Sequence, residues 1–483
     1  MHKSSYNWQL LPLTILAFLF YFTQTCGLPG VTHDSIFYFQ GAEYLLKGQG
    51  YLTKVFGIVK PAMHFPPMYP MLLAGLKGLT GMEFTTATLV LNGICWSVSI
   101  SGLCLLFQRN QLSLIVSYGL ALLCMLQHDV ITMYYMAWSE ALFITLMIWG
   151  MHLLLIFSKE GKLNSGLLAG VILGLATVTR YAGFVFVPFL FVYVWWTNES
   201  IKTKIRRIFI PLSTYLIPVL LWMIRNYTVS GKWMSRENNI TDSHLPSSFL
   251  ETGMRTLSSW LHFESNSSIN IIGPGIIVLV LIIGLYAMYR FHRDATTPIP
   301  ELAWVMLFLT YLALLILTAK YADKITLPDY RLLAPANLMF SILLCQFLIH
   351  WLKSFSLIKY LITAILLYLT YGELNQTRYR LAAFRNNGME FTDRKLLEQK
   401  PVIDSLKNLQ DSLPILSDNN EDDYLHYLTG KTILYPNAIY DMEYGQQLYF
   451  AFYHERKHLP DLGYTYLKSD TIIPGYLYKV MIK

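Results

Sequence analysis

The sequence predicts an all-α polytopic membrane protein of about eleven transmembrane helices, followed by a small C-terminal α/β domain on the extracytoplasmic side. Three observations predict it. Of the 483 residues, 54% are hydrophobic and 15% aromatic, and only 14% are charged, against roughly 25% in an ordinary soluble domain. Apolar runs approaching the roughly 20 residues that a helix needs to cross a bilayer recur along the first three quarters of the chain. Charge then returns, because residues 376–483 hold 27 of the 67 Asp, Glu, Lys and Arg residues. A greasy body, 1–375, is therefore followed by a tail of soluble composition, 376–483, and soluble enzyme folds are excluded for most of the chain.

In chain order the apolar segments fall at 8–28, 84–107, 111–127, 138–157, 165–179, 181–197, 207–224, 271–290, 302–320, 332–352 and 357–374. The first is longer than a signal-peptide core and lacks a small-residue cleavage site, so it is expected to remain as a span. The fifth and sixth are short and meet at Arg180, Tyr181 and Ala182, which suits two half-buried helices joined at one membrane face. Placing the N-terminus in the cytoplasm puts Lys3, Arg109, Lys159, Lys162, Lys202, Lys204, Arg206, Arg207, Arg290, Arg293, Lys353 and Lys359 in short cytoplasmic segments, as the positive-inside rule requires. The net charge of +7 is thus a topology signal and does not point to nucleic acid. Four longer connections, 29–83, 128–137, 225–270 and 321–331, and the tail then lie outside the cytoplasm.

Within the first connection, 29–83, Ser35 to Lys47 has helical composition, His64 to Pro70 (HFPPMYP) is a rigid turn, and 68–80 is again apolar, so helices along the membrane surface are expected. The tail alternates a helix-like stretch (393–411) with strand-like ones (413–417, 432–435, 475–481). The five cysteines sit in or beside apolar runs without CxxC spacing and read as packing residues.

Asp34 is the first acidic residue after the first span, and a carboxylate beside a membrane serves either solubility or a polar functional cavity. Glu140 opens the fourth span, where an acid behind a Ser139 cap would also complement the helix dipole. His128 and Asp129 form a second acid and imidazole pair, His33 and His64 add imidazoles on the first loop, and Tyr38, Glu43 and Tyr69 are further polar candidates there. His and carboxylate oxygens suit a divalent metal, with spacing too loose to name one. Arg180, Arg225 and Arg331 all fall on the extracytoplasmic side, against the usual bias. Each alone fits a snorkelling arginine; three together suit a bidentate grip on phosphate. The Walker A, GxGxxG, HExxH and GxSxG strings are missing.

Several strings together resemble the GT-C class of polytopic glycosyltransferases, particularly bacterial relatives of the protein O-mannosyltransferases and of the lipid A aminoarabinose transferase. They are Asp34, Tyr38 and the Tyr44–Tyr51 run (YLLKGQGY), Phe65-Pro-Pro-Met-Tyr-Pro, Trp138-Ser-Glu140-Ala, Gly170 to Arg180 (GVILGLATVTR), Arg225-Asn-Tyr and Tyr330-Arg-Leu-Leu-Ala-Pro335, in the family's order across about residues 30–340. The tail, through Pro414-Ile-Leu-Ser-Asp-Asn-Asn and Tyr427-Leu-Thr-Gly-Lys431, is similar to the small domain of some bacterial members. Asp34-Ser35 stands where the mannosyltransferases carry an Asp-Glu pair.

The resemblance implies residence in the cell (inner) membrane and a polyprenyl-phosphate-linked sugar as donor. Asp34 would then be the general base on an acceptor hydroxyl, with inversion at the anomeric carbon. It further implies Arg180, Arg225 and Arg331 on the leaving phosphate, Glu140 orienting the acceptor, the base or a metal, and a lipid, protein or glycan acceptor. Two other readings stay open: a transporter or flippase of a lipid-linked saccharide, which would show internal repeats, and a surface-polysaccharide ligase or polymerase.

Overall fold

The computed structural model describes residues 8–25, 29–55, 58–195, 199–234, 247–261, 273–279, 300–321 and 327–354, with short pieces between 281 and 482. The helices described are α1 (Leu10–Gln24), α2 (His33–Leu46), α3 (Met68–Thr80), α4 (Phe84–Gln108), α5 (Leu114–Met125), α6 (His128–Tyr135), α7 (Glu140–Glu160), α8 (Leu163–Thr177), α9 (Phe186–Trp195), α10 (Ile201–Ser230), α11 (Ser247–Ser259), α12 (Pro300–Tyr321) and α13 (Tyr330–Ser354). A hairpin of β1 (Leu52–Val55) and β2 (Ile58–Pro61) follows α2, and strands β3 (Ile415–Ser417), β4 (Ile433–Leu434), β5 (Gln447–Ala451), β6 (Tyr466–Ile473) and β7 (Leu477–Ile482) lie in the tail. Two compact units result: the first is Met1–Cys26, Met63–Tyr69 and Leu89–Ala382, the second Gly27–Ala62, Pro70–Thr88 and Ala383–Lys483.

Five helices, Phe84–Gln108, Glu140–Glu160, Ile201–Ser230, Leu302–Tyr321 and Tyr330–Phe347, are long and apolar enough to cross a membrane, and α5 with α6 would make a sixth if that pair, bent by 78°, is one span. α8 and α9, at 15 and 10 residues, are too short to cross alone. They are joined by a 3₁₀ turn over Tyr181–Val185, as expected from the break at Arg180. The expected segments at 271–290 and 357–374 lie largely outside the described residues.

The stretch 128–137, expected as a connection, is instead mostly the buried helix α6. Backbone leaving a helix inside an apolar bundle must find new partners. Here the Tyr134 carbonyl accepts from the Tyr21 hydroxyl at 2.7 Å and from Asn92 Nδ2 at 3.0 Å, and Asn92 Nδ2 also reaches the Met136 carbonyl at 2.8 Å.

α8 and α10 meet along glycines. A Cβ at Gly170 would run into the Pro211 carbonyl oxygen, and one at Gly174 would lie 2.6 Å from Pro218 Cγ. Small residues four apart thus let two apolar helices close to backbone contact, the means of association available where no water drives burial.

In the second unit, Gln40 of α2 accepts through Oε1 from Thr53 Oγ1 at 3.2 Å and Lys54 N–H at 3.0 Å, which ties the hairpin to the helix. The tail strands form one sheet in the order β4-β3-β5-β7-β6. β3 runs parallel to β4 and β5, and β7 pairs antiparallel with both β5 and β6. Three of the five strands coincide with the stretches expected from sequence; β5 and β6 lie outside them.

Candidate active site

The first unit brings three of the sequence candidates together. Glu140, in the first turn of α7 and 1% exposed, receives the Arg331 Nε–H at Oε1, and Arg180 Nη1 lies 2.5 Å from the same oxygen. Arg180 comes from the break after α8 and Arg331 from the first turn of α13. Two guanidiniums thus share one carboxylate, with the Asp329 carboxyl also within electrostatic reach of Arg331 and Glu140, at a place shielded from water where charge interactions are strengthened. Glu140 Oε2 is buried and has no hydrogen-bond partner, so the carboxylate retains capacity for a donor.

Neighbouring groups fix this arrangement. The Trp138 ring lies under the Arg331 guanidinium at 4.2 Å, a cation–π contact that holds the charge without neutralising it. Ser139 was expected as the N-cap of α7, but it has helical backbone angles and makes no side-chain cap bond. Its hydroxyl accepts from Arg180 Nη1 at 3.3 Å instead. Asp329 caps α13, accepting at Oδ1 from Arg331 N–H (3.1 Å) and Leu332 N–H (3.0 Å), and burial raises its carboxyl above the usual aspartate range.

Arg225, three residues after Trp222 on α10, donates to Asn226 Oδ1 at 3.1 Å and lies 5.1 Å from the Trp222 ring. Trp222 Nε1 donates to the Tyr181 hydroxyl at 3.1 Å, and that hydroxyl donates to the Met63 carbonyl at 2.8 Å. A chain of contacts therefore runs from Arg225 to the residue after Arg180.

Asp129 is 4% exposed but faces other partners: Trp260 Nε1 donates to its Oδ2 at 3.0 Å, and Asn337 Nδ2 lies at 3.4 Å. It joins α6, the end of α11 and α13. His128 and His64 are exposed, His64 against the Phe65 ring, and Tyr69 is fully buried.

Asp34, His33, Tyr38 and Glu43 belong to the second unit, all on α2. Asp34 is half-buried in the first turn, behind a capping box in which the Thr32 N–H donates to Ser35 Oγ at 2.9 Å. Such a box fixes the first turn and with it the aspartate's backbone. Tyr38 is buried, and Glu43 pairs with Lys47 at 2.8 Å on the surface. The His33 side chain lies outside what is described. Among the described residues, no three His, Cys, Asp or Glu side chains are placed to hold a metal ion.

Trp260 and Asn337 on Asp129 were not singled out from sequence, and Trp138 beneath Arg331 entered only as part of the Trp138-Ser-Glu140-Ala string, with no role of its own. Trp138 stands two residues from Glu140 and could have been given one. The other two lie 131 and 208 residues from their partner, and no local pattern announces them.

No protein-family model and no curated protein sequence matches the chain. Solved structures do. ArnT from Cupriavidus metallidurans, bound to undecaprenyl phosphate, superposes with a TM-score of 0.57 at 10% identity, over 98% of this chain and 97% of that one. The apo oligosaccharyltransferase of Archaeoglobus fulgidus gives 0.56 at 11% identity over 89% of this chain, which spans 65% of that protein's length. The same protein, AglB, in complex with an inhibitory peptide and a dolichol-phosphate, gives 0.53 at 11% identity, with the same coverage of each chain. Both proteins are glycosyltransferases of the GT-C class, and this chain has the GT-C fold.

Proposed function

We propose that the protein is an integral membrane glycosyltransferase that moves a sugar from a polyprenyl-phosphate donor to an extracytoplasmic acceptor with inversion. The observation that carries this reading is the Glu140 cluster. Two guanidiniums gathered on one buried carboxylate are the groups suited to a bidentate grip on the phosphate of a lipid-linked donor. The fold likeness supports it, since its representatives have been solved with undecaprenyl phosphate and with dolichol-phosphate.

In the reaction, the acceptor O–H attacks the anomeric carbon from the face opposite the phosphate, and its proton passes to Asp34. The bond from the anomeric carbon to the phosphate oxygen breaks, and polyprenyl phosphate leaves with the electron pair. Arg180 and Arg331, with Arg225 beyond them, compensate the charge left on it. The unpartnered Glu140 Oε2 takes a donor hydrogen from the acceptor or the sugar. The N-terminus is cytoplasmic, and residues 376–483, most of which share a compact unit with Gly27–Ala62 and Pro70–Thr88, are extracytoplasmic and take part in acceptor selection.

The test compares sugar transfer from a labelled polyprenyl-phosphate sugar pool by wild type and Asp34→Asn, in membranes at matched protein level. The substitution keeps volume and removes the base, so transfer should fall by about 10² to 10⁴ while donor binding survives. An unimpaired variant removes Asp34 as base. Wild type that transfers nothing from any such pool removes the transferase reading and leaves transport.

A further inference from the structure

The break between α8 and α9, which carries Arg180, also holds the first-loop turn His64-Phe-Pro-Pro-Met-Tyr-Pro70. Pro66 and Pro67 have no N–H to donate, so the turn needs anchors at its ends. Met68 N–H donates to the Val178 carbonyl at 3.1 Å, and the Met63 carbonyl accepts from the Tyr181 hydroxyl at 2.8 Å. The two anchoring residues flank Arg180 in the chain, and the exposed His64 is carried between the anchored points.

A hydroxyl can donate and accept at once, and that of Tyr181 does both, because it also takes the Trp222 Nε1–H at 3.1 Å. Trp222 is 7% exposed. Arg225, one turn further along α10, lies with its guanidinium 5.1 Å from the Trp222 ring and donates through Nη1 to Asn226 Oδ1 at 3.1 Å. A ring kept from turning holds the cation that rests on it. One oxygen therefore relates three segments far apart in sequence, which carry His64, Arg180 and Arg225. The break itself has other supports: the Tyr215 hydroxyl accepts from Thr177 Oγ1 at 2.9 Å and donates to the Gly183 carbonyl at 3.3 Å, and the Tyr181 ring stacks on Phe184 with centroids 6.3 Å apart. A hydroxyl at Tyr181 is redundant for holding the break, and its use lies in what it reaches.

We propose that Tyr181 is a positioning residue of the donor-phosphate site: its hydroxyl, held on the Met63 carbonyl, fixes the Trp222 indole and through it the Arg225 guanidinium. This rests on the assignment of Arg225 to the donor phosphate in the proposed function and adds the residue that sets where Arg225 stands.

The test is binding of labelled undecaprenyl phosphate, and of undecaprenol as a phosphate-free probe, to the purified full-length protein in detergent. Tyr181→Phe keeps the ring and removes one oxygen. It should lower affinity for undecaprenyl phosphate about three- to tenfold, the range set by one hydrogen bond, and leave affinity for undecaprenol unchanged. In an Arg225→Gln background the same substitution should lower it no further, since two changes acting through one group do not add. Equal loss for both probes means a general loosening of the fold and overturns the proposal. So does a full loss retained in the Arg225→Gln background, which would mean that the hydroxyl touches the phosphate itself, and so does unchanged binding by Tyr181→Phe. Wild type that binds no undecaprenyl phosphate overturns the lipid-phosphate donor and this role with it, whereas the other outcomes leave that donor standing. If Tyr181→Phe does not fold, Trp222→Phe, which removes the N–H and keeps a ring under Arg225, is read by the same comparisons.

Discussion

Glu140 separates two roles that a carboxylate at the head of a membrane helix can play. A dipole-complementing acid would stand in water and contribute a few tenths of a kcal/mol up to about 1 kcal/mol; Glu140 is instead buried between Arg180 and Arg331. Removing one partner of a buried ion pair typically costs about 3–5 kcal/mol, because the remaining charge is left uncompensated. Glu140→Gln should therefore lower Tm measurably in detergent as well as depress transfer, whereas loss of an exposed helix-end acid would move Tm several-fold less. Asp329 offers a pH signature. Its carboxyl is raised by burial, so the folded state holds that proton more tightly than the unfolded chain does. The resulting contribution to stability is fully present below the unfolded aspartate pKa and is lost as pH rises through the raised folded pKa. Asp329→Asn keeps an oxygen for the Arg331 and Leu332 amides and should flatten this part of the Tm–pH curve while retaining the cap. The three clustered residues were legible as candidates because the topology expected from the sequence put them on one face. The role of Asp129 was not legible, since Trp260 and Asn337 reach it only through tertiary packing.

At the scale of elements, the Gly170–Arg180 string gains a physical reason. Gly170 and Gly174 set the separation of α8 from α10, and α8 ends at Thr177, three residues before Arg180, while α10 carries Arg225. Gly170→Leu should overpack this seam at a cost of about 1–3 kcal/mol, seen as a lower Tm and reduced donor binding; a variant with wild-type Tm would show that the helices can part without penalty. The five helices long enough to cross each fall on an apolar run read from the sequence, whereas the run at 8–28 holds the 15-residue α1. α6 was not legible, because eight residues after a break carry too little periodicity to separate helix from loop. The tail strands β5 and β6 escaped for a related reason: QLYFA and YLKSDTII mix apolar and polar residues without clean alternation.

At the scale of the whole molecule, composition divides the chain at about residue 375, whereas its compact units do not follow chain order. The second unit joins Gly27–Ala62 and Pro70–Thr88 to Ala383–Lys483, so the first loop and the tail are parts of one folded body. Deleting 383–483 should therefore loosen α2 and the hairpin, with faster amide exchange over residues 33–61 and new protease cuts near Gly48–Gly50. A tail that folded by itself would leave those residues as protected as in wild type. Composition could not reveal this union, because it reports the local solvent of a segment and not its partners. α10 has one further consequence. Between Arg207 and Arg225 it offers an uncharged stretch of about 27 Å at 1.5 Å per residue, and most of that helix is unburied by protein. With a guanidinium at each end, the helix acts as a gauge of hydrocarbon thickness. A thicker bilayer than this must thin around it, a thinner one must tilt it, and any tilt of α10 is passed through the glycine seam to α8 and so to Arg180.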